Sequence, residues 1–334
     1  MTASEFVASR CSRRHFLNAG AALGLAVLAA GPCQASGLGL GYQETALLMG
    51  TFVRIDVTGC GQAQAQDAVA EAFAAARTLE AELTRFESSS PLGILNSQGT
   101  LQDVPEHLAL LLEKSRLVHR VTAGSFDPSI LPLLSALQES NARGERLAHR
   151  ELSALLRLVN YDRVQLGGAV RLGHGMTLTL DGIAKGYIAQ QMSLSLKKFG
   201  CPNHLVNAGG DLVASGQAEG GHLWRVAIRS PHSASQMQGV VSLSNRALAT
   251  SGVYEQRLRQ GSGSHLVVPR TLNRPEIVSA SVLAPDGMLA DALATAFSVQ
   301  APRAVLDLCA GLKGVDCMLV LGNGSMVRSA GWPA

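Results

Sequence analysis

Two apolar rhythms take turns along this chain. Residues 49–57 (MGTFVRIDV) alternate as a strand does. Over residues 65–83 apolar side chains return at Ala65, Val69, Ala72, Phe73, Ala76, Leu79 and Leu83, the spacing of one helical face. A second helix is expected over residues 106–121, stopped by Gly124, and a third over residues 183–199, with Lys197 and Lys198 in its last turn and Gly200 closing it. Between them, residues 164–180 read as short strands joined by Gly167-Gly168 and Gly173-His174-Gly175. Further short strands are expected at 205–207, 212–215, 223–228 and 240–243, with another pair at 247–249 and 265–268. A buried strand at 278–283 precedes helical spacing over 286–299, then a helix near 304–309 and a strand at 318–321. Strands interrupted by helices, without strict alternation, define a mixed α+β class in two intimate lobes. Soft joints are expected at 139–146 and 229–238, and no internal repeat is visible.

The first residues change the picture. Ser12-Arg13-Arg14-His15-Phe16-Leu17 precedes a small-residue apolar run over 19–30. Paired arginines before a modest hydrophobic stretch are the signature of twin-arginine export, and the run falls short of the roughly 20 residues a membrane span needs. Cleavage after Ala35 is expected, giving a signal over 1–35 and one domain over 44–330, with the mature chain in the periplasm and no transmembrane helix of its own. Without the signal's arginines, acidic and basic residues nearly balance, so the chain has no electrostatic footprint for nucleic acid. Cys60, Cys201, Cys309 and Cys317 form no CxxC pair and no zinc spacing; buried free thiols are the default expectation.

Several segments could carry chemistry. Asp291 and Thr295 lie four apart in an expected helix, so a carboxylate and a hydroxyl share one face, which suits Mg²⁺. A surface Asp beside a Thr bonded to its own helix would look the same. In Leu180-Asp181-Gly182-Ile183-Ala184-Lys185-Gly186-Tyr187 a strand gives way to a helix with a lysine in its first turn. That lysine opposes the helix dipole, and an anionic phosphate partner would account for it; an ordinary turn is the alternative. Asn207-Ala208-Gly209-Gly210-Asp211 and Ala249-Thr250-Ser251-Gly252 sit beside strands, where glycines allow close approach to a ligand or simply a hairpin turn. Ser125-Phe126-Asp127-Pro128-Ser129 follows a helix stop, and its aspartate could cap a turn or touch a ligand. His265 opens an expected strand and could move protons near neutral pH. No P-loop, nucleophile elbow, HExxH or complete dinucleotide-binding glycine turn occurs.

The order of these segments resembles the FAD:protein FMN transferase (ApbE) family over residues 49–299. Met49-Gly50-Thr51, the segment 86–96 with Ser90, Leu92, Leu95 and Asn96, Gly124 to Ser129, Asn207 to Asp211, Ala249 to Tyr254, His265 with Pro269-Arg270-Thr271, and Ala290 to Thr295 follow one another as the family's motifs do. The resemblance implies an ApbE-like fold and transfer of FMN from FAD to a threonine of an acceptor flavoprotein, with Mg²⁺ required and AMP released. It implies that Gly182, Asp291 and Thr295 hold Mg²⁺. FAD contacts would come from Met49, Phe86, Ser125, Phe126, Asp127, Thr179, Lys185, Asn207, Gly209, Gly210, Thr250 and Ser251. It places His265 at a position tied to catalysis; Asp181 is the other candidate base.

Two departures stand out. Thr179 occupies the place of the family's usual aspartate, with Asp181 two residues on, and Val268 replaces the aspartate before Pro269. This variant, with a twin-arginine signal, resembles the subgroup serving nitrous-oxide respiration (NosX-type); the acceptor is expected to be a membrane-attached flavoprotein. Two other activities fit the same residues: an FAD carrier without transfer, and an FAD pyrophosphatase.

Overall fold

A computed structural model describes residues 41–233, 236–252 and 276–333. Its elements run β1 (Tyr42–Leu48), β2 (Thr51–Thr58), α1 (Gln62–Leu83), α2 (Pro91–Gln98), β3 (Thr100–Leu101), α3 (Glu106–Val121), α4 (Leu131–Ala142), α5 (His149–Leu156), β4 (Val170–Arg171) and α6 (Ala184–Lys198). They continue with β5 (Asn203–Ala208), β6 (Asp211–Ser215), β7 (Trp224–Arg229), β8 (Met237–Leu243), β9 (Arg246–Gly252), β10 (Ile277–Ala284), α7 (Gly287–Phe297), α8 (Pro302–Gly311), β11 (Asp316–Leu321) and β12 (Met326–Arg328). The mixed α+β class expected from the pattern is the one adopted. The expected strand at 265–268 and the signal at 1–35 lie outside the described residues.

One sheet organises the chain, in the order β1-β2-β5-β6-β9-β10-β11-β12, every neighbouring pair antiparallel. Because side chains alternate across a strand, each strand supplies both faces. On one face Val53, Ile55, Val206, Ala208, Ala247, Ala249, Ala280 and Val282 share a core with Phe73 of α1, Met192 of α6 and Phe297 of α7. The alanines on this face let the helices settle close to the strands. On the other, Leu205, Leu212, Leu248, Leu283 and Met318 are covered by the β7–β8 hairpin through Trp224, Val226, Ile228 and Val241.

The structure departs from the expected elements in three places. Residues 164–180 pair as a strand only at Val170–Arg171, against Thr100–Leu101. The rest of that segment bonds elsewhere: the Thr179 N–H donates to the Pro128 carbonyl at 2.9 Å, and the Asn96 amide takes both backbone groups of Leu178. β1 precedes the first expected strand. It lies at the sheet edge with Tyr42, Ala46 and Leu48 turned inward, but Glu44 shares that face and Leu47 is exposed, which blurs its alternation. Helices α2, α4 and α5 fill segments with no helical expectation; prolines at the starts of α2 and α4 sit in first turns, where a missing N–H costs nothing.

His204 of β5 is fully buried and held in one tautomer. Its Nδ1 lies 2.7 Å from the Cys201 carbonyl, which can only accept, so Nδ1 carries the proton and Nε2 accepts from the Ser193 hydroxyl at 2.7 Å. Burial lowers its pKa from 6.5 to about 4. The unfolded chain therefore takes up a proton near pH 6.5 that the folded chain refuses until about pH 4. Stability is present above the upper value and should fall by up to about 3 kcal/mol as pH drops through that window. Urea unfolding from pH 7.5 to 4 would measure it; in His204→Gln the slope attributable to this group should vanish.

Candidate active site

The turn at residues 179–187 is the point on which the candidate segments converge. The Ile183 and Ala184 amides both donate to the Leu180 carbonyl, turning the chain sharply into α6. α7 lies across this turn. Gly182 sits directly beneath Thr295: a Cβ at Gly182 would come within 2.8 Å of the Thr295 hydroxyl. The Gly182 carbonyl stands 3.5 Å from Thr295 Oγ1, which is itself 3.5 Å from Ser251 Oγ of β9. One turn back along α7, Asp291 is 2 % exposed, and its Oδ2 accepts the Gly186 N–H at 2.9 Å. The first turns of α6 and α7 touch backbone to backbone. A Cβ on Gly186 would strike the Gly287 carbonyl and the Asp291 side chain, and a Cβ on Gly287 would strike the Gly186 carbonyl.

Lys185, whose position opposes the helix dipole, is answered by Asp211: Nζ and Oδ2 are 2.6 Å apart, and Asp211 is 5 % exposed. Asp211 stands at the end of the β5–β6 hairpin, whose two-residue turn is Gly209-Gly210 at φ 70° and 112°. Asn207 Oδ1 accepts the Gly210 N–H at 3.0 Å and fixes that turn. Gly209 is required twice over, by its positive φ and because a Cβ there would meet the Thr51 side chain at 2.6 Å. Thr51 follows the β1–β2 turn, Met49-Gly50, with both residues at positive φ (52° and 67°) as a type I′ hairpin turn requires. A methionine in that region is strained, and its N–H is held by Glu80 Oε1 at 2.7 Å.

Behind the turn lie the remaining segments. Ser90 caps α2 by accepting the Gly93 N–H at 2.9 Å, and Asn96 near its end grips Leu178. Phe86 is 73 % exposed, with the Arg85 guanidinium 4.1 Å from its ring centre. Arg85 also reaches Asp181 through Nε and Nη2, each 2.9 Å from Oδ2, leaving that carboxylate more than half open to solvent. Ser125 Oγ accepts from Gln300 Nε2 at 2.9 Å, whereas the Phe126 side chain packs in the core. Asp127 is turned inward. It accepts from the Ser129 N–H at 2.9 Å and the Tyr161 N–H at 3.3 Å. Burial raises its pKa, opposed by the Ser129 hydroxyl and nearby His119.

Thus Gly182, Lys185 and Gly186 are brought to Thr295 with Ser251, Asp211 and Asp291, and Asn207, Gly209 and Gly210 shape the hairpin that carries Asp211. Thr179 and Asp181 share the turn but bond to Pro128 and Arg85, and Met49 bonds to Glu80. Thr250 turns instead to Ser281, hydroxyl to hydroxyl at 2.9 Å. His265 lies outside the described residues. Arg85 and Glu80 were not singled out by sequence reasoning; the only signal for Arg85 was its place beside Phe86. No cluster of three or more His, Cys, Asp or Glu that could hold a metal occurs among the described residues. No described helix is long and apolar enough to cross a membrane.

This architecture is similar to that of the ApbE protein of Thermotoga maritima, with a TM-score of 0.78 and 25 % identity over 87 % of this chain and 97 % of that one. The FAD:protein FMN transferase of Treponema pallidum is 29 % identical over 318 residues, 87 % of each chain. That of Rhodobacter capsulatus is 30 % identical over 77 % of this chain, which spans about half (51 %) of that relative's length. The sequence model of the ApbE family matches residues 49–319, and the chain belongs to that family.

Proposed function

We propose that this protein transfers FMN from FAD to a threonine of an acceptor flavoprotein, releasing AMP. The observation that carries the reading is the convergence of Gly182, Ser251, Asp291 and Thr295 on one turn that also presents Lys185. In the transfer, the acceptor's threonine Oγ forms a bond to the FMN-side phosphorus of the pyrophosphate. The bond from that phosphorus to the bridging oxygen breaks, and AMP leaves with the electron pair.

The oxygens present fit Mg²⁺. Carbonyl, hydroxyl and carboxylate are its hard ligands, and the 3.5 Å gap from the Gly182 carbonyl to Thr295 Oγ1 is wider than a good hydrogen bond. With a single carboxylate, Asp291, the set is completed most naturally by substrate phosphate oxygens, the usual habit of this ion. When bound, Mg²⁺ would supply charge stabilisation for the departing phosphate. Gly182, Asp291 and Thr295 would hold it. Lys185, fixed by Asp211, keeps a positive charge beside the turn for the pyrophosphate, and exposed Phe86 offers an apolar face to the isoalloxazine. The threonine hydroxyl needs a base, since it is a weak nucleophile at its own pKa. Asp181, open to solvent and steadied by Arg85, and His265 are the two candidates.

The twin arginines Arg13 and Arg14 support export to the periplasm, and the Thr179/Asp181 variant supports the NosX-type subgroup with a membrane-attached acceptor. Incubating the protein with FAD, Mg²⁺ and a candidate acceptor should add one FMN to one acceptor threonine, read by mass spectrometry, with AMP in equal amount. Free FMN beside an unmodified acceptor would instead identify a pyrophosphatase, and bound FAD without turnover a carrier.

A further inference from the structure

Cys60 and Cys201 lie outside the site and take no part in the transfer, yet their sulfurs are 2.9 Å apart across 141 residues of sequence. The backbone explains the meeting. β2 and β5 run antiparallel in constant register, with Val53 opposite Ala208 and Thr58 opposite Asn203. Carried two residues further, that register sets Cys60 opposite Cys201. Directly opposed residues in an antiparallel pair have Cβ atoms about 4.5–5.5 Å apart, close to the separation a disulfide spans. The two sulfurs differ in access: Cys60, flanked by Gly59 and Gly61, is half-buried, whereas Cys201 is fully buried.

We propose that Cys60 and Cys201 are an oxidisable pair that closes, in the folded protein, into a disulfide clasp between the start of α1 and the end of α6. The oxidant is a disulfide of the thiol–disulfide oxidase class. The Cys60 thiolate attacks one sulfur of that disulfide and expels the other as a thiolate, giving a mixed disulfide on Cys60. The Cys201 sulfur then attacks Cys60 Sγ, loses its proton to water, and expels the second oxidant thiolate. Two protein thiols are oxidised and one oxidant disulfide is reduced to a dithiol. Burial and the neighbouring thiol push the Cys201 pKa up to about 12, which assigns the first attack to Cys60. Cys309 and Cys317 also meet, but both are buried and offer no sulfur to an incoming disulfide. The clasp would tie down the far end of the helix whose first turn carries Lys185 and Gly186, and cross-linking residues so distant in sequence restricts the unfolded chain strongly.

Treating the folded full-length protein with oxidised glutathione, then alkylating after denaturation without reductant, tests this. Peptide mapping should find Cys60 joined to Cys201, with two hydrogens lost. The midpoint of thermal unfolding should exceed that of the dithiothreitol-reduced protein by about 5 °C, a difference of the size chain restriction gives. Cys60→Ser, at a half-buried turn, should fold and show no such difference. Full alkylation of both cysteines after oxidation, or a glutathione adduct persisting on Cys60, would overturn the pair. A linked pair with no gain in unfolding temperature would overturn the clasp.

Discussion

Asp291→Asn should lower the rate of AMP release about a thousandfold, the scale expected when a metal ligand supplying several kcal/mol of charge stabilisation is lost. Stability should hardly change. The asparagine keeps a side-chain oxygen where Asp291 Oδ2 accepts the Gly186 N–H. Asp291→Ala should be as inactive but less stable by about 1–3 kcal/mol, because the Gly186 N–H is left buried without that acceptor. Comparing the two separates the carboxylate's chemistry from its structural bond. HPLC of AMP at saturating FAD and Mg²⁺, with thermal unfolding on the same preparations, reads both. An Asn variant of near wild-type rate would remove Asp291 from the metal set.

The largest effect on stability is expected at Gly186. Its missing side chain lets α6 and α7 touch, and Gly186→Ala would drive a methyl into the Gly287 carbonyl and the Asp291 side chain. Backbone cannot rotate away as a side chain can, so α7 must shift, at a cost of about 3 kcal/mol. The midpoint of thermal unfolding should drop by roughly 5–10 °C. FMN transfer should fail as well, since moving α7 separates Asp291 and Thr295 from Gly182. Unchanged stability and activity would mean the two first turns are not in contact.

Much of this was legible before the structure. The helices at 65–83 and 106–121 announced themselves because long amphipathic spacing is a local property, and α1 and α3 cover those residues. The i, i+4 pair Asp291/Thr295 and the turn before Lys185 likewise lie within single elements. What stayed hidden depends on distant partners. Nothing local says that Lys185 is matched by Asp211 or that Arg85 grips Asp181. Nor does it say that Gly209 is glycine partly because Thr51 presses on it. Residues 164–180 carried a strand-like pattern, but their backbone groups found an asparagine side chain and loop carbonyls before a ladder. Edge strand β1 hid because one of its two faces has little to bury.

The turn at 179–187 gathers its partners from Arg85, just ahead of α2, to Thr295 in α7. A polypeptide emerging from the ribosome has therefore displayed most of its motifs long before α7 arrives to cover Gly182. Contacts that span so much sequence form late, since loop closure must precede them. A chain cut short at a stalled ribosome between Asp211 and Gly287 would carry the lysine, the paired glycines and the exposed phenylalanine, yet none of the α7 oxygens. Interrupted synthesis there would leave a fragment in which Lys185 and Asp211 are both present but nothing packs against Gly182 and Gly186.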